Sequence, residues 1–199
     1  MKYLRNYLSP LCGLALAAVC AQSSGLAADP ANPPASTTAK ADDPEVAVIT
    51  TTEGVMVVQF WTDAAPKTIA NFKKLAQTGF YDGTCFHRVI KGFMIQTGDV
   101  NATGSSPCGI PNLRDEIDPS LNFKASGVLA MANTGSKNTG ACQIFITVGP
   151  ADYLTGMYTI FGQVVSGQDV ADAISKVPVS SEKPLVPVIV KTVTTQRKQ

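Results

Sequence analysis

The sequence predicts a mainly β domain, a barrel of short strands covered by two helices. Two observations support this fold class. Short apolar segments recur between turn-rich stretches, and two other stretches have the periodicity of amphipathic helices. Strands and helices do not alternate along the chain, so a parallel α/β sheet is not expected.

The N-terminal residues precede this domain and predict export. Residues 1–28 are interpreted as a signal peptide, because Lys2 and Arg5 form a basic start and an apolar run and small residues follow. The apolar run is shorter than the ~20 residues that a transmembrane helix needs, so no membrane span is expected. A lipid anchor on Cys20 is the alternative. Residues 29–44 are rich in Pro, Ala and Thr and predict a disordered tether.

The folded domain is expected over residues 45–196 and begins with a hairpin at 46–60. The first helix follows, with Asp63 as its cap, Pro66 in its first turn and Gly79 at its end. Its apolar face comprises Ile69, Phe72, Leu75 and Ala76. This face predicts a helix that packs on the open surface of a sheet.

The remaining strands and the second helix complete the predicted barrel. The expected strands are Phe86–Ile90, Phe93–Thr97, Gly127–Asn133, Gln143–Val148 and Thr159–Val165. A second helix is predicted over residues 170–177 from its apolar spacing. The last strand is expected over Val186–Val193, where Pro187 favours a strand start or a sheet edge.

Composition and motifs exclude several classes of function. The chain has a formal net charge of +1 and no basic run, so nucleic acid is not an expected partner. It has one histidine, His87, no zinc-ligand spacing and no nucleotide-binding glycine motif, so no metal or cofactor is expected. Cys85 and His87 could act as a thiol and its base, although packing is the favoured interpretation of both.

Four sequence blocks carry a family resemblance. They are FHRVIKGFMIQTGD, GVLAMANTG, CQIFIT and FGQVVSGQDVADAI, in this order within residues 46–195. Together they resemble the cyclophilin family of peptidyl-prolyl cis-trans isomerases, in particular short exported bacterial members, which implies a periplasmic location. The resemblance implies a closed eight-stranded antiparallel barrel with a helix over each open end, and a substrate groove on its outer face.

The resemblance also implies a role for individual residues. Arg88 corresponds to the catalytic arginine. The pocket for the substrate proline would comprise Phe93, Met94, Phe145 and Leu154, and the residues that align the peptide backbone would be Gln96, Ala132, Asn133 and Gln143. Strict strand alternation would place Phe93 and Met94 on opposite faces, and a twist at Gly92 is expected to resolve this conflict. Packing roles are assigned to Phe86, Val89, Ile95, Leu129 and Ile146.

Two aromatic residues and one cysteine differ from the common family pattern. Tyr153 stands where many members have tryptophan, and Tyr158 stands where they have histidine. Both keep an aromatic wall, but the change at Tyr153 puts cyclosporin binding in doubt. Cys142 replaces a common serine, beside the pocket that receives residues preceding the proline in this family. A Cys108–Cys142 disulfide is the hypothesis for this side of the groove.

The expected partners are proline-containing polypeptides, and the chain is expected to be a monomer. Isomerisation breaks no bond, so an arginine that stabilises the twisted imide in an apolar groove is sufficient for catalysis. The alternative is a non-catalytic binding module for proline segments on the same scaffold.

Overall fold

The structure is a computed structural model that describes residues 45–105 and 108–198. The expected signal peptide at residues 1–28 and the expected tether at residues 29–44 lie outside this range. Within it, neither helix has the length and apolar character that crossing a membrane requires.

The described residues form ten strands and two α-helices. The strands are β1 (Glu45–Thr51), β2 (Val55–Phe60), β3 (Arg88–Ile90), β4 (Met94–Thr97), β5 (Val128–Met131), β6 (Ile144–Thr147), β7 (Ile160–Ser166), β8 (Val179–Ser180), β9 (Lys183–Pro184) and β10 (Val190–Arg197). The helices are α1 (Pro66–Gln77) and α2 (Gln168–Ile174), with a short 3-10 helix at Asp152–Leu154.

Eight strands form one antiparallel sheet in the order β10-β1-β2-β7-β5-β6-β4-β3. Hydrogen bonds connect the two ends of this sheet. The Phe86 N–H donates to the Val188 carbonyl at 3.0 Å, and the Val190 N–H donates to the Thr84 carbonyl at 2.8 Å. The curled eight-stranded antiparallel sheet with two helices confirms the predicted fold class.

Apolar side chains cover both faces of the strands on one side of the barrel. In β6, Ile144 and Ile146 belong to the inner core, whereas Phe145 belongs to a second apolar cluster outside. In β5, Leu129 is inside and Ala130 is outside. The residues assigned to packing are all buried in the inner core: Phe86, Val89, Ile95, Leu129 and Ile146. The outer cluster is the base on which a surface site can be built, since strand side chains alternate between faces.

Helix α1 is capped differently from the sequence prediction. Asp63 was expected as the cap, but the residue at that position is Ala65, which has no side-chain capping bond. The carboxylate of Glu116 accepts hydrogen bonds from the backbone N–H groups of Lys67 at 3.1 Å and Thr68 at 2.8 Å. The cap therefore comes from a distant loop, which sequence spacing around the helix does not reveal.

The last strand and β4 begin later than expected. The strand predicted over Val186–Val193 is observed at Val190–Arg197. It continues past Val193 because its polar C-terminal half pairs with β1 up to the Glu45–Arg197 pair. Pro187 precedes the strand. The strand predicted from Phe93 begins at Met94, since Phe93 belongs to the preceding turn.

Candidate active site

A cavity of about 70 Å³ opens on the outer face of the barrel, above the outer apolar cluster. Nine of the residues singled out in the sequence line it: Arg88, Phe93, Met94, Gln96, Ala132, Asn133, Phe145, Leu154 and Tyr158. They come from β3, β4, β6, the 3-10 helix and the loops between the strands. The sheet therefore brings together residues that are up to seventy positions apart in the sequence.

The cavity is apolar and tightly packed on one side. Met94, Phe145 and Leu154 are 2%, 4% and 8% exposed. Phe123 stacks against Phe145 with 5.8 Å between ring centroids, and Tyr158 meets Phe145 edge-on at 5.4 Å. Packed aromatic rings have little freedom to move, so this apolar slot has a fixed shape.

The turn between β3 and β4 explains how Phe93 and Met94 both reach the cavity. The Phe93 N–H donates to the Ile90 carbonyl at 3.0 Å, and Gly92 adopts a left-handed φ of 74°. Because Phe93 lies in the turn and not in the strand, strand alternation does not apply to it. The turn at Gly92 is therefore the local feature that lets two consecutive side chains share one cavity.

Strand register determines which residues lie next to one another on the polar side of the cavity. Arg88 lies directly opposite Gln96 in the β3–β4 pair, and Gln96 lies opposite Phe145 in the β4–β6 pair. Residues directly opposite in neighbouring strands point to the same face of a sheet. Antiparallel pairing thus fixes a cation, an amide and an aromatic ring side by side.

Gln143 lies next to this cavity and not in it. Its side-chain carbonyl accepts a hydrogen bond from the Gln96 amide at 2.8 Å, and its own amide donates to the Gly104 carbonyl at 3.3 Å. Gln143 lines an adjoining cavity of about 280 Å³. Gln96, Ala132 and Asn133 line both cavities, so the two lie side by side.

Cys108 and Cys142 form a disulfide in the structure, with 6.2 Å between their Cα atoms. Both residues line the adjoining cavity. The bond ties the loop after β4 to the residue that precedes Gln143, so it holds one wall of this cavity in place.

The side chain of Asn133 connects its own loop to the loop before β7. Its amide donates to the Met157 carbonyl at 3.1 Å, and its carbonyl accepts from the Gly135 N–H at 2.9 Å. These bonds fix the loop that borders the cavity.

Tyr153 and Tyr158, the two aromatic residues that differ from the common family pattern, occupy different places. Tyr158 lines the cavity, whereas Tyr153 lies outside it on the 3-10 helix and is 67% exposed. The Tyr153 ring is 5.8 Å from the Phe93 ring between centroids. Tyr153 therefore extends the apolar rim instead of forming a wall of the slot.

The thiol–imidazole alternative finds no support in the structure. Burial raises the pKa of the Cys85 thiol, which disfavours the nucleophilic thiolate. Burial also lowers the pKa of His87, and within the described part of the chain neither ring nitrogen forms a hydrogen bond with the Cys85 thiol. The pair thus lacks the hydrogen bond that activates a thiol nucleophile.

One residue of the site was missed by the sequence analysis. Glu182 lies in the turn between β8 and β9, and its carboxylate contacts the Arg88 Nε at 2.6 Å. The two residues are 94 positions apart and no motif connects them, so only the tertiary structure reveals the pair. Across residues 45–105 and 108–198, no group of three metal-ligating side chains could hold a metal ion.

Comparison with known proteins identifies the family of this chain. Residues 46–195 match the family model described as cyclophilin type peptidyl-prolyl cis-trans isomerase. The chain is 45% identical to peptidyl-prolyl cis-trans isomerase-like 1 of Neurospora crassa, over 67% of this chain and 83% of the relative. It is 42% identical to the Homo sapiens protein of the same name, over 66% of this chain and 80% of the relative.

A solved structure has the same fold. It is a Cryptosporidium parvum cyclophilin type peptidyl-prolyl cis-trans isomerase, crystallised in the presence of the dipeptide Ala-Pro. It superposes with a TM-score of 0.73 at 32% identity, covering 77% of this chain and 99% of that chain. Since the family model spans the whole barrel, the chain belongs to the cyclophilin family of peptidyl-prolyl cis-trans isomerases.

Proposed function

We propose that this cyclophilin accelerates rotation about X-Pro bonds in exported polypeptides, with Arg88 as its catalytic residue. The observation that carries the proposal is the shared cavity, in which Arg88 lies beside an apolar slot formed by Phe93, Met94 and Phe145. A proline ring fits the slot chemically, and the guanidinium is then next to the bond that rotates.

The reaction requires no covalent chemistry. The peptide C–N bond resists rotation by ~18–20 kcal/mol because resonance gives it partial double-bond character. An acceleration of about 10⁵-fold needs only about 7 kcal/mol of transition-state stabilisation. An enzyme can supply this by binding the twisted imide more tightly than either planar form.

Arg88 is suited to this role by its chemistry. In the twisted imide the nitrogen lone pair is no longer conjugated, so it can accept a hydrogen bond. A guanidinium stays charged and offers donors in a fixed plane. The neighbouring apolar residues exclude water from the slot, which strengthens that bond relative to the same bond in solution.

The polar residues around the slot align the substrate backbone. Gln96 is held by Gln143 at 2.8 Å, so its amide is oriented before a peptide arrives. The side chain of Asn133 is already bonded to Met157 and Gly135, so its contribution would come from its main chain. Preordered groups of this kind reduce the entropy lost on binding.

The cellular role is a proposal from the N-terminal sequence. A basic start, an apolar run and small residues favour export, with the periplasm as the destination and lipid anchoring or secretion as alternatives. Exported proteins folding there would be the substrates, and a monomer is sufficient for the activity. The exposed Tyr153 keeps cyclosporin binding in doubt.

A protease-coupled assay on a proline-containing peptide tests the proposal. We expect Arg88→Ala to lower kcat/KM about 10²-fold or more, the loss typical of removing one donor to a developing lone pair or charge. Arg197→Ala is the matched control, because Arg197 is exposed at the end of β10 and lines neither the slot nor the cavities beside it. Binding of the peptide without acceleration by the wild type would instead support the non-catalytic binding module.

A further inference from the structure

We propose that Glu182 is a positioning residue for Arg88, a role that rests on the proposed function of that arginine. The Glu182 carboxylate binds the Arg88 Nε at 2.6 Å. Nε is the innermost of the guanidinium nitrogens, so a bond there leaves the terminal N–H groups available to the groove. Arg88 lines the cavity while it makes this bond.

The backbone of Glu182 is fixed on the same strand that carries Arg88. Its carbonyl accepts a hydrogen bond from the Val89 N–H at 2.7 Å. The β8–β9 hairpin is therefore anchored to β3 by a main-chain bond and by an ion pair on adjacent residues. The nearby Lys183 ammonium also donates to the Ala102 carbonyl at 3.4 Å, which ties the hairpin to the loop after β4.

The turn that presents Glu182 has an uncommon conformation. Ser181 and Glu182 have φ values of 48° and 66°, the left-handed pair of a type I′ turn. Such turns favour asparagine and glycine, and a glutamate has no local reason to be there. The position of Glu182 in this turn brings its carboxylate into contact with Arg88.

Three variants of Glu182 and one of its neighbour separate positioning from folding. Glu182→Gln keeps the shape without the charge, and Glu182→Asn removes the carboxylate while suiting the left-handed turn. Glu182→Asp keeps a shorter carboxylate. Ser181→Asn is the control, since it changes the same turn and leaves the ion pair intact. Melting temperatures establish that each variant is folded.

The assay measures kcat/KM on an uncharged proline peptide. We expect a loss of about two- to fivefold in Glu182→Gln and Glu182→Asn, the scale of an exposed ion pair, with partial retention in Glu182→Asp. Ser181→Asn should match the wild type. Added salt should lower wild-type kcat/KM towards that of Glu182→Gln and leave the variant unchanged, because salt screens exposed charges.

A double-mutant cycle completes the test. In the Arg88→Ala background, Glu182→Gln should cause no further loss, because a positioning residue acts only through its partner. Wild-type activity in folded Glu182→Gln and Glu182→Asn, or an equal loss with and without Arg88, would overturn the inference. Full activity of Arg88→Ala itself would instead overturn the proposed function.

Discussion

Glu116 accepts three hydrogen bonds from the first turn of α1, so Glu116→Ala tests whether a distant loop caps this helix. The donors are the backbone N–H groups of Lys67 and Thr68 and the Thr68 hydroxyl, at 3.1, 2.8 and 2.9 Å. The helix has no side-chain cap of its own and no acidic residue in its first turn. The Glu116 carboxylate therefore also supplies the negative charge that a helix N-terminus favours.

The expected loss follows from these contacts. Removal of a helix N-cap costs about 0.5–2 kcal/mol. The Thr68 side chain is buried, and a buried hydroxyl that loses its acceptor costs a further ~1–3 kcal/mol. We therefore expect the free energy of unfolding to fall by about 2–4 kcal/mol, with a fall in Tm of about 5–15 °C for a domain of this size.

Urea unfolding followed by the fluorescence of Trp61 measures this loss. Trp61 is the single tryptophan of the chain and is buried just before α1, where its carbonyl accepts from the Ala65 N–H at 3.3 Å. Asp63→Ala is the control and should change the free energy by less than ~0.5 kcal/mol, as an exposed substitution does. A small effect of Glu116→Ala together with a large effect of Asp63→Ala would refute the reasoning.

Three further predictions concern His87 and the disulfide. Burial lowers the pKa of His87, so the folded state disfavours the charged ring, and the free energy of unfolding should fall as pH drops through the unfolded pKa of about 6.5. The Tm measured from pH 7.5 to 5.5 should therefore decline more steeply for the wild type than for His87→Asn. Parallel curves for the two proteins would contradict this. The Cys108–Cys142 disulfide predicts one free thiol, Cys85, in the unreduced and denatured Cys12→Ser/Cys20→Ser variant, against three without the bond. Its removal by Cys108→Ser with Cys142→Ser should cost about 2–4 kcal/mol of stability, since the bond closes a loop with a sequence separation of 34.

Most of the predicted site residues line one cavity, and they lie in or beside short strands with recognisable blocks. Arg88, Gln96 and Phe145 are brought together by antiparallel register, which follows once the strands and their order are known. Gln143 and Tyr153 lie outside this cavity. Each is close to a residue of the slot, but the direction of a side chain at a cavity edge depends on packing that sequence position does not define.

Element boundaries were predicted less well where one strand depends on another. The apolar residues near Val188 suggested a strand that ends at Val193, yet pairing with β1 extends β10 to Arg197 through polar residues. Strand propensity is weak at such positions, and cross-strand hydrogen bonds outweigh it.

The sequence by itself determined the fold class, because apolar alternation and turns are local properties of the chain, and its ordered blocks indicated through the family resemblance which residues to expect in the slot and the arginine beside it. Only the tertiary structure decided that Glu116 caps α1, that Glu182 binds Arg88 and that Phe93 enters the slot from a turn. The first two are contacts between residues 48 and 94 positions apart. Such contacts form when the barrel closes, and neither partner carries a local signal of the other.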